Sequence, residues 1–357
     1  MPKVWAHSAD SHVMEPDDLW LTHLPSHLAD RGPRVTRDAT KETASIDGQV
    51  AFRTLAAFAD ASARAPGAYD ARLRLRDLDE EGVWGQVMFP SRGLWIPRAT
   101  DAELARECCR VYNDWVASEV MSISERLVGV AMLSHLDTDD AIAELQRAAG
   151  LGYRSVLLPT TPPAGREFND EVWEPLWAAA AEANMLVAFH VGTGSDPVQI
   201  RGQGAAVINY VETFVPGQRV LTHLVASGVL DRHPALKVLI AEGGATWVPN
   251  LADRMDEAYR QHGMYVLPKL SMLPSELLYR QAYASFQHDK TAVAAVTAMG
   301  YRNVLWGDDY PHMEGTWGHT QATIKELFDG VDDDVAELVL RGNFEDLFGV
   351  TAPADTH

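Results

Sequence analysis

Eight short runs of β-branched and apolar residues, each ending in small or polar side chains, recur along this chain with helical patterns between them. They span residues 4–12, 82–90, 127–134, 153–159, 186–192, 236–244, 283–289 and 303–311. The intervening helical patterns cover 101–125, 137–149, 169–184, 205–228, 246–262, 290–299 and 332–347. Strands alternating with helices imply βαβ units and a parallel sheet, and eight such units imply an α/β fold of the (β/α)8 TIM-barrel type. Two segments exceed an ordinary connection, 14–67 after the first strand and 265–282 before the seventh. Both read as insertions in one barrel domain of residues 1–350, the first covering the barrel mouth, with 351–357 as a tail.

Composition narrows the function. Of 357 residues 46% are hydrophobic and 22% charged, enough apolar content for a packed core. A net charge of −20 repels nucleic acid and anionic membranes, so a phosphate-backbone binder is excluded. The two cysteines, Cys108 and Cys109, are adjacent in a helical pattern and have poor geometry for a mutual disulfide. The N-terminal residues lack the apolar run of a signal peptide and no stretch suits a membrane span, so a soluble cytoplasmic protein is expected. Dinucleotide and P-loop glycine motifs are missing, and the glycines at 192–194 and 202–204 read as turns.

Catalytic residues of such barrels sit at the C-terminal ends of the strands. The first run ends Asp10-Ser11-His12, placing two metal-type ligands on one face of a strand. The fifth ends in His190, the sixth in Glu242, the seventh in His288-Asp289, and the eighth in Asp308-Asp309-Tyr310-Pro311-His312. Burying that many polar groups costs several kcal/mol for each one left uncompensated. A shared metal supplies the compensation.

The start Asp10-Ser11-His12-Val13-Met14-Glu15-Pro16 is one of four informative segments. The others are the stretch from Ser227-Gly228-Val229 through His233-Pro234-Ala235-Leu236-Lys237-Val238 to Glu242-Gly243-Gly244, the segment Trp306-Gly307-Asp308-Asp309-Tyr310-Pro311-His312, and the closing Gly342-Asn343-Phe344 to Leu347-Phe348-Gly349. Together they resemble the second amidohydrolase family, the metal-dependent TIM-barrel group that contains aminocarboxymuconate-semialdehyde and resorcylate decarboxylases. The resemblance implies that Asp10, His12, His190 and Asp309 ligate a first metal. Three features depart from the family pattern. Asp308 stands where Ser or Thr is usual and reads as a solvated or supporting acid. Glu242 replaces the decarboxylases' catalytic histidine, and His288 adds a histidine beyond the mononuclear set. The bridging lysine of binuclear relatives is absent from residues 153–160, so Glu242 or an aspartate would have to bridge any second ion.

These departures lead to the expectation of a dinuclear non-haem iron oxygenase or hydroxylase with Asp10, His12, His190, Glu242, His288 and Asp309 as ligands to two Fe ions. Glu242 and His312 would act in catalysis, and O2 would be the co-substrate. The alternative is a mononuclear Zn- or Mn-dependent hydrolase or non-oxidative decarboxylase. In either case the substrate is a small carboxylated or acyl metabolite, and a homodimer is expected. Arg92 could hold a carboxylate or phosphate. Trp247 and Trp317 either wall the substrate or pack in the core. Glu15 either reaches the site or fixes the first loop through backbone N–H groups. His223, inside a helical pattern, is set aside.

Overall fold

A computed structural model describes residues 3–62, 64–194 and 200–352. Each of the eight apolar runs supplies one strand of a parallel barrel. β1 comprises two short pieces, Ala6–Ser8 and His12–Val13. β2 is Val83–Pro90, and β3 again has two pieces, Leu127–Gly129 and Ala131–Met132. β4 is Ser155–Thr161, β5 Leu186–Gly194, β6 Val238–Ala241, β7 Ala282–Phe286 and β8 Val304–Trp306. Neighbours pair in parallel in sequence order from β1 to β8. The ring closes where the Ala9 N–H donates to the Trp306 carbonyl at 2.9 Å and the Asp309 N–H to the Asp10 carbonyl at 2.9 Å. A parallel bridge between Ser11 and Tyr310 lies beside them. Barrel strands are covered on both faces, which is why they read as continuous apolar runs rather than alternating ones.

The helices follow their local signals, with differences. Ala102–Glu119 starts at Asp101 and Thr138–Gly150 at Asp137, each capping aspartate accepting backbone N–H groups of the first turn. The pattern at 169–184 begins at Asp170, one residue later than the expected asparagine. The long pattern at 205–228 divides into Ala205–Glu212 and Val215–Ala226, because Pro216 cannot donate a helical hydrogen bond and instead occupies the start of the second helix. Among the described residues three α-helices of eight or more residues lie outside the helical patterns of the sequence: Ala71–Glu81, Pro274–Gln281 and Thr320–Leu327. The first is rich in arginine and acids, so its apolar stripe is thin, and the second occupies half of the segment read as an insertion before β7.

Residues 14–67 contain the helix Leu19–His23, an antiparallel sheet of Arg34–Arg37, Lys41–Ile46 and Gln49–Leu55, and the helix Ala56–Ser62. Trp20, fully buried, ties the segment to the barrel by donating its indole N–H to the Cys108 carbonyl at 3.0 Å. Both cysteines are buried and unbridged. Among the described residues no helix is long and apolar enough to cross a membrane. The tail expected at 351–357 falls mostly outside the described residues.

Candidate metal centre

The end of β1 places Asp10 between its two short pieces and His12 at the start of the second. The His12 Nδ1–H donates to the Pro90 carbonyl at 2.9 Å, and the His190 Nδ1–H, at the end of β5, to the Val191 carbonyl at 2.9 Å. Each bond fixes the tautomer and turns a bare Nε2 inward. The two Nε2 atoms then face each other 3.1 Å apart. Asp10 Oδ1 lies 3.8 Å from one and 3.5 Å from the other, and Asp309 Oδ1 lies 3.5 Å from His12 Nε2.

Lone pairs and carboxylates at such separations repel unless a cation lies between them, and atoms bound about 2.0–2.3 Å from one ion have this spacing. All four carboxylate oxygens of Asp10 and Asp309 are buried without a well-formed hydrogen bond. His312 Nδ1 lies 2.8 Å from Asp309 Oδ1. Buried carboxylates left this way are costly, and the donor set fits a divalent cation. Among the described residues two groups could hold an ion, Asp10/His12/His190 and His12/Asp309/His312, and they share His12. They describe one centre.

The acids around that centre are electrostatically strained. Burial, then Asp309, push the Glu242 carboxyl well above its usual range, and burial, then Asp10, do the same to Asp309. Burial, then His312 and His190, hold His12 far below its usual value. For His190 burial is the largest single effect and lowers the pKa, but Asp10 and Glu242 outweigh it and leave the imidazole above its usual value. Glu242 Oε2 stands 3.4 Å from His190 Nε2, with the side chain 16% exposed. Its backbone N–H donates to Ser285 Oγ at 2.9 Å and its φ is +60°; Asp309 has φ +50°. Left-handed backbone at a non-glycine residue costs about 1–2 kcal/mol, and Glu242 and Asp309 both carry this strain while Asp10 does not.

The remaining candidates separate clearly. His312 stacks on His12 at 4.0 Å between ring centres and borders the cavity outside. His288 lies away from the cluster, exposed, donating from Nε2 to the Glu314 carbonyl at 3.0 Å. Side chains alternate along an extended chain, so the buried Gln287 takes the inward place beside Asp309 and His288 turns out. Arg92 donates to the Glu15 carbonyl at 2.6 Å and pairs with Asp17, so its guanidinium is committed although it lines the cavity. Glu15 accepts the backbone N–H groups of Arg92 and Gly93 at 2.8 and 2.9 Å; it fixes the first loop. Trp247 donates to the Gly243 carbonyl and packs against the core, and Trp317 meets Tyr310 edge-on beneath the Arg64 guanidinium. Neither ring borders the cavity beside His312.

Asp308 is buried rather than solvated. It accepts from Ser8 Oγ at 2.7 Å and from Gln86 Nε2 at 2.7 and 2.9 Å, and burial raises its pKa to about 6. Gln86 in turn accepts from Arg74 at 3.0 Å, and Arg74 also holds the Gly67 and His12 carbonyls. This floor escaped the sequence reading; its one visible signal was a glutamine inside the apolar run of β2. The cavity outside the centre has a volume of about 820 Å³, with the antiparallel sheet of residues 34–55 on one side and His312 and Glu314 on the other.

Comparison with known proteins agrees with this geometry. The family described as Amidohydrolase matches residues 85–350. The 2-amino-3-carboxymuconate-6-semialdehyde decarboxylase of Dictyostelium discoideum is 25% identical over 298 residues, covering 79% of this chain and 77% of that protein. An amidohydrolase structure from Mycobacterium avium subsp. paratuberculosis K-10 superposes with a TM-score of 0.78 at 21% identity, over 97% of this chain and 99% of the other. A dihydroxybenzoic acid decarboxylase from Polaromonas sp. JS666, with bound manganese and the inhibitor 2-nitroresorcinol, gives a TM-score of 0.65 at 18% identity, over 98% and 97% of the two chains.

The expectation of a dinuclear iron oxygenase is therefore corrected. His288 is not in the donor set, the two candidate ion groups share a histidine, and the two proteins named above by their reaction are decarboxylases, one of them holding manganese. His288 reads as a ligand from the sequence because a residue list does not show which side of a strand end it takes; Glu242 does face the centre but belongs to neither of the two groups that could hold an ion.

Proposed function

The chain belongs to the amidohydrolase family of metal-dependent enzymes, and on that premise we propose that it is a mononuclear, non-oxidative decarboxylase of a small organic acid. Asp10, His12, His190 and Asp309 hold one divalent cation, which when bound acts as a Lewis acid toward the substrate's oxygens. The observation that carries the reading is Glu242: a third acid, next to the donor cluster and largely buried.

Burial, then the Asp309 charge, raise the pKa of Glu242 and favour its protonated form. That form donates its proton to the carbon that loses carbon dioxide: the C–C bond breaks, a C–H bond forms, and solvent returns the proton to the carboxylate. Ser285 fixes the backbone at Glu242, so the carboxyl keeps its aim. His312, its Nδ1 turned to Asp309, presents Nε2 toward the cavity as a hydrogen-bonding group for the substrate. Residues of the segment 14–67 wall one side of the cavity outside the centre.

The test is to incubate manganese-loaded protein with a panel of hydroxylated aromatic and enolic carboxylic acids, and with the matching esters and amides. Carbon dioxide release without oxygen uptake is expected. Cleavage of esters or amides with no carbon dioxide released would overturn the reading in favour of a hydrolase.

A further inference from the structure

Two of the four donor residues stand where the strands are interrupted. β1 breaks at residues 9–11, around Asp10, and β8 ends at Trp306, ahead of Asp309. Beneath them runs a chain of polar side chains, Ser8, Asp308, Gln86 and Arg74, none more than 2% exposed.

The direction of each hydrogen bond in this chain is fixed by the chemistry of its neighbour. The Asp308 carboxylate is the acceptor, taking the Ser8 O–H, the Gln86 amide and, at 3.2 Å, the Tyr310 N–H. Ser8 Oγ accepts the Asp308 N–H at 2.9 Å and lies 2.7 Å from the Asp10 carbonyl. Gln86 presents Nε2 to Asp308 and Oε1 to Arg74, so one amide bridges a buried acid and a buried guanidinium. Arg74 then donates to Ser11 Oγ at 3.3 Å and to the His12 carbonyl. The chain therefore grips the backbone at Asp10, at His12 and on both sides of Asp309. It makes no hydrogen bond to the carboxylate oxygens of Asp10 or Asp309. Burying a carboxylate and a guanidinium is costly, and apolar side chains would pack a barrel seam as well or better, so packing alone does not account for the chain.

We propose that Asp308 is a positioning residue of the metal centre: through Ser8, Gln86 and Arg74 it holds the backbone that carries Asp10, His12 and Asp309, and so sets the spacing of the donors around one cation. Its action is on the ligands' backbone, through directed hydrogen bonds in a chain whose members depend on one another. This rests on the reading that Asp10, His12, His190 and Asp309 hold one divalent ion.

The experiment is manganese affinity of the full chain by competition with a chelator, together with the visible absorption of the cobalt-loaded chain, which reports ligand geometry and which a change in seam stability alone would not move. Asp308→Asn brings an amide donor against the Gln86 amide donor. It should weaken manganese binding about 10- to 100-fold and alter the cobalt spectrum. Asp308→Asn combined with Gln86→Glu exchanges acid and amide, so that Arg74 and Asn both donate to the new carboxylate; it should return affinity to within about threefold of the parent and restore the spectrum. Ser8→Ala removes one hydroxyl and should weaken binding several-fold, which keeps the test open if Asp308→Asn does not fold. Parental affinity and spectrum in Asp308→Asn, or in Ser8→Ala where only that variant folds, would overturn the proposal even if the melting temperature falls. A double variant no better than Asp308→Asn would overturn it too. A parent chain that binds no manganese overturns the metal reading and this proposal together. If the order of affinities holds and no acid releases carbon dioxide, the decarboxylase reading fails alone; if carbon dioxide is released and the order is absent, this proposal fails alone.

Discussion

Gly307 sits where β8 leaves the barrel, against the strand that bears Asp10. A Cβ at that position would stand 2.6 Å from Asp10 Cβ, 3.1 Å from Asp10 N and 3.3 Å from Asp10 Cα. Non-bonded carbons rest about 3.5–4.0 Å apart, so Gly307→Ala demands a shift on the order of 1 Å. The atoms in the way are backbone and the root of the side chain of Asp10, a proposed ligand, which no rotamer change can remove. Hydrogen bonds from Gly307 N–H to the Phe286 carbonyl and from Asp309 N–H to the Asp10 carbonyl, both 2.9 Å, hold the two sides in place. The strain must go into parting the barrel seam or turning Asp10 away from His12 and His190.

Overpacking of this kind costs about 1–3 kcal/mol, which should lower Tm by several degrees. A ligand displaced by about 1 Å should weaken metal binding roughly 10- to 100-fold, the range found when the support of a ligand is removed. The assay is manganese content after equilibration against a chelator of graded strength, beside a thermal melt. Gly150→Ala, where the new Cβ meets nothing within 4 Å, is the control and should change neither. A Gly307→Ala protein that melts lower but binds manganese within about twofold of the parent would refute the argument that this glycine sets the position of Asp10.

Three further outcomes follow from the site and the core. Glu242→Gln should keep its metal and lose about 10²- to 10⁴-fold in turnover; a rate within twofold of the parent would remove Glu242 as the proton donor. His288→Ala should leave one metal per chain unchanged by elemental analysis, whereas halved content would revive a second ion site. His7 and His135 are both held down to about 4 by burial, against about 6.5 when unfolded. Their stabilising contribution is complete above pH 6.5 and is lost as pH falls toward 4, about 3 kcal/mol each. Urea midpoints should therefore drop over that window, and less steeply in His135→Gln; identical slopes would exclude His135 as a source.

The sequence by itself determined the barrel. Apolar runs at regular spacing cannot be hidden on one face of a sheet, and helices between them must cover both faces, so eight repeats close into a ring whatever the side chains at its mouth. It also placed Asp10, His12, His190, Glu242 and Asp309 at strand ends, because extended chain converts position in a run into height along the barrel. What it left open was direction. A step of one residue past β7 turns Gln287 inward and His288 to solvent, and only the pairing of β7 with its neighbours fixes which is which. The same holds for Glu15 and Arg92, chemically suited to a site yet engaged with each other's backbone, and for Arg74 and Gln86, whose role under the donor cluster arises from contacts 12 to 222 residues apart in sequence. Residue type sets what a side chain can do, and the burial and partners that select among those possibilities exist only once distant strands meet.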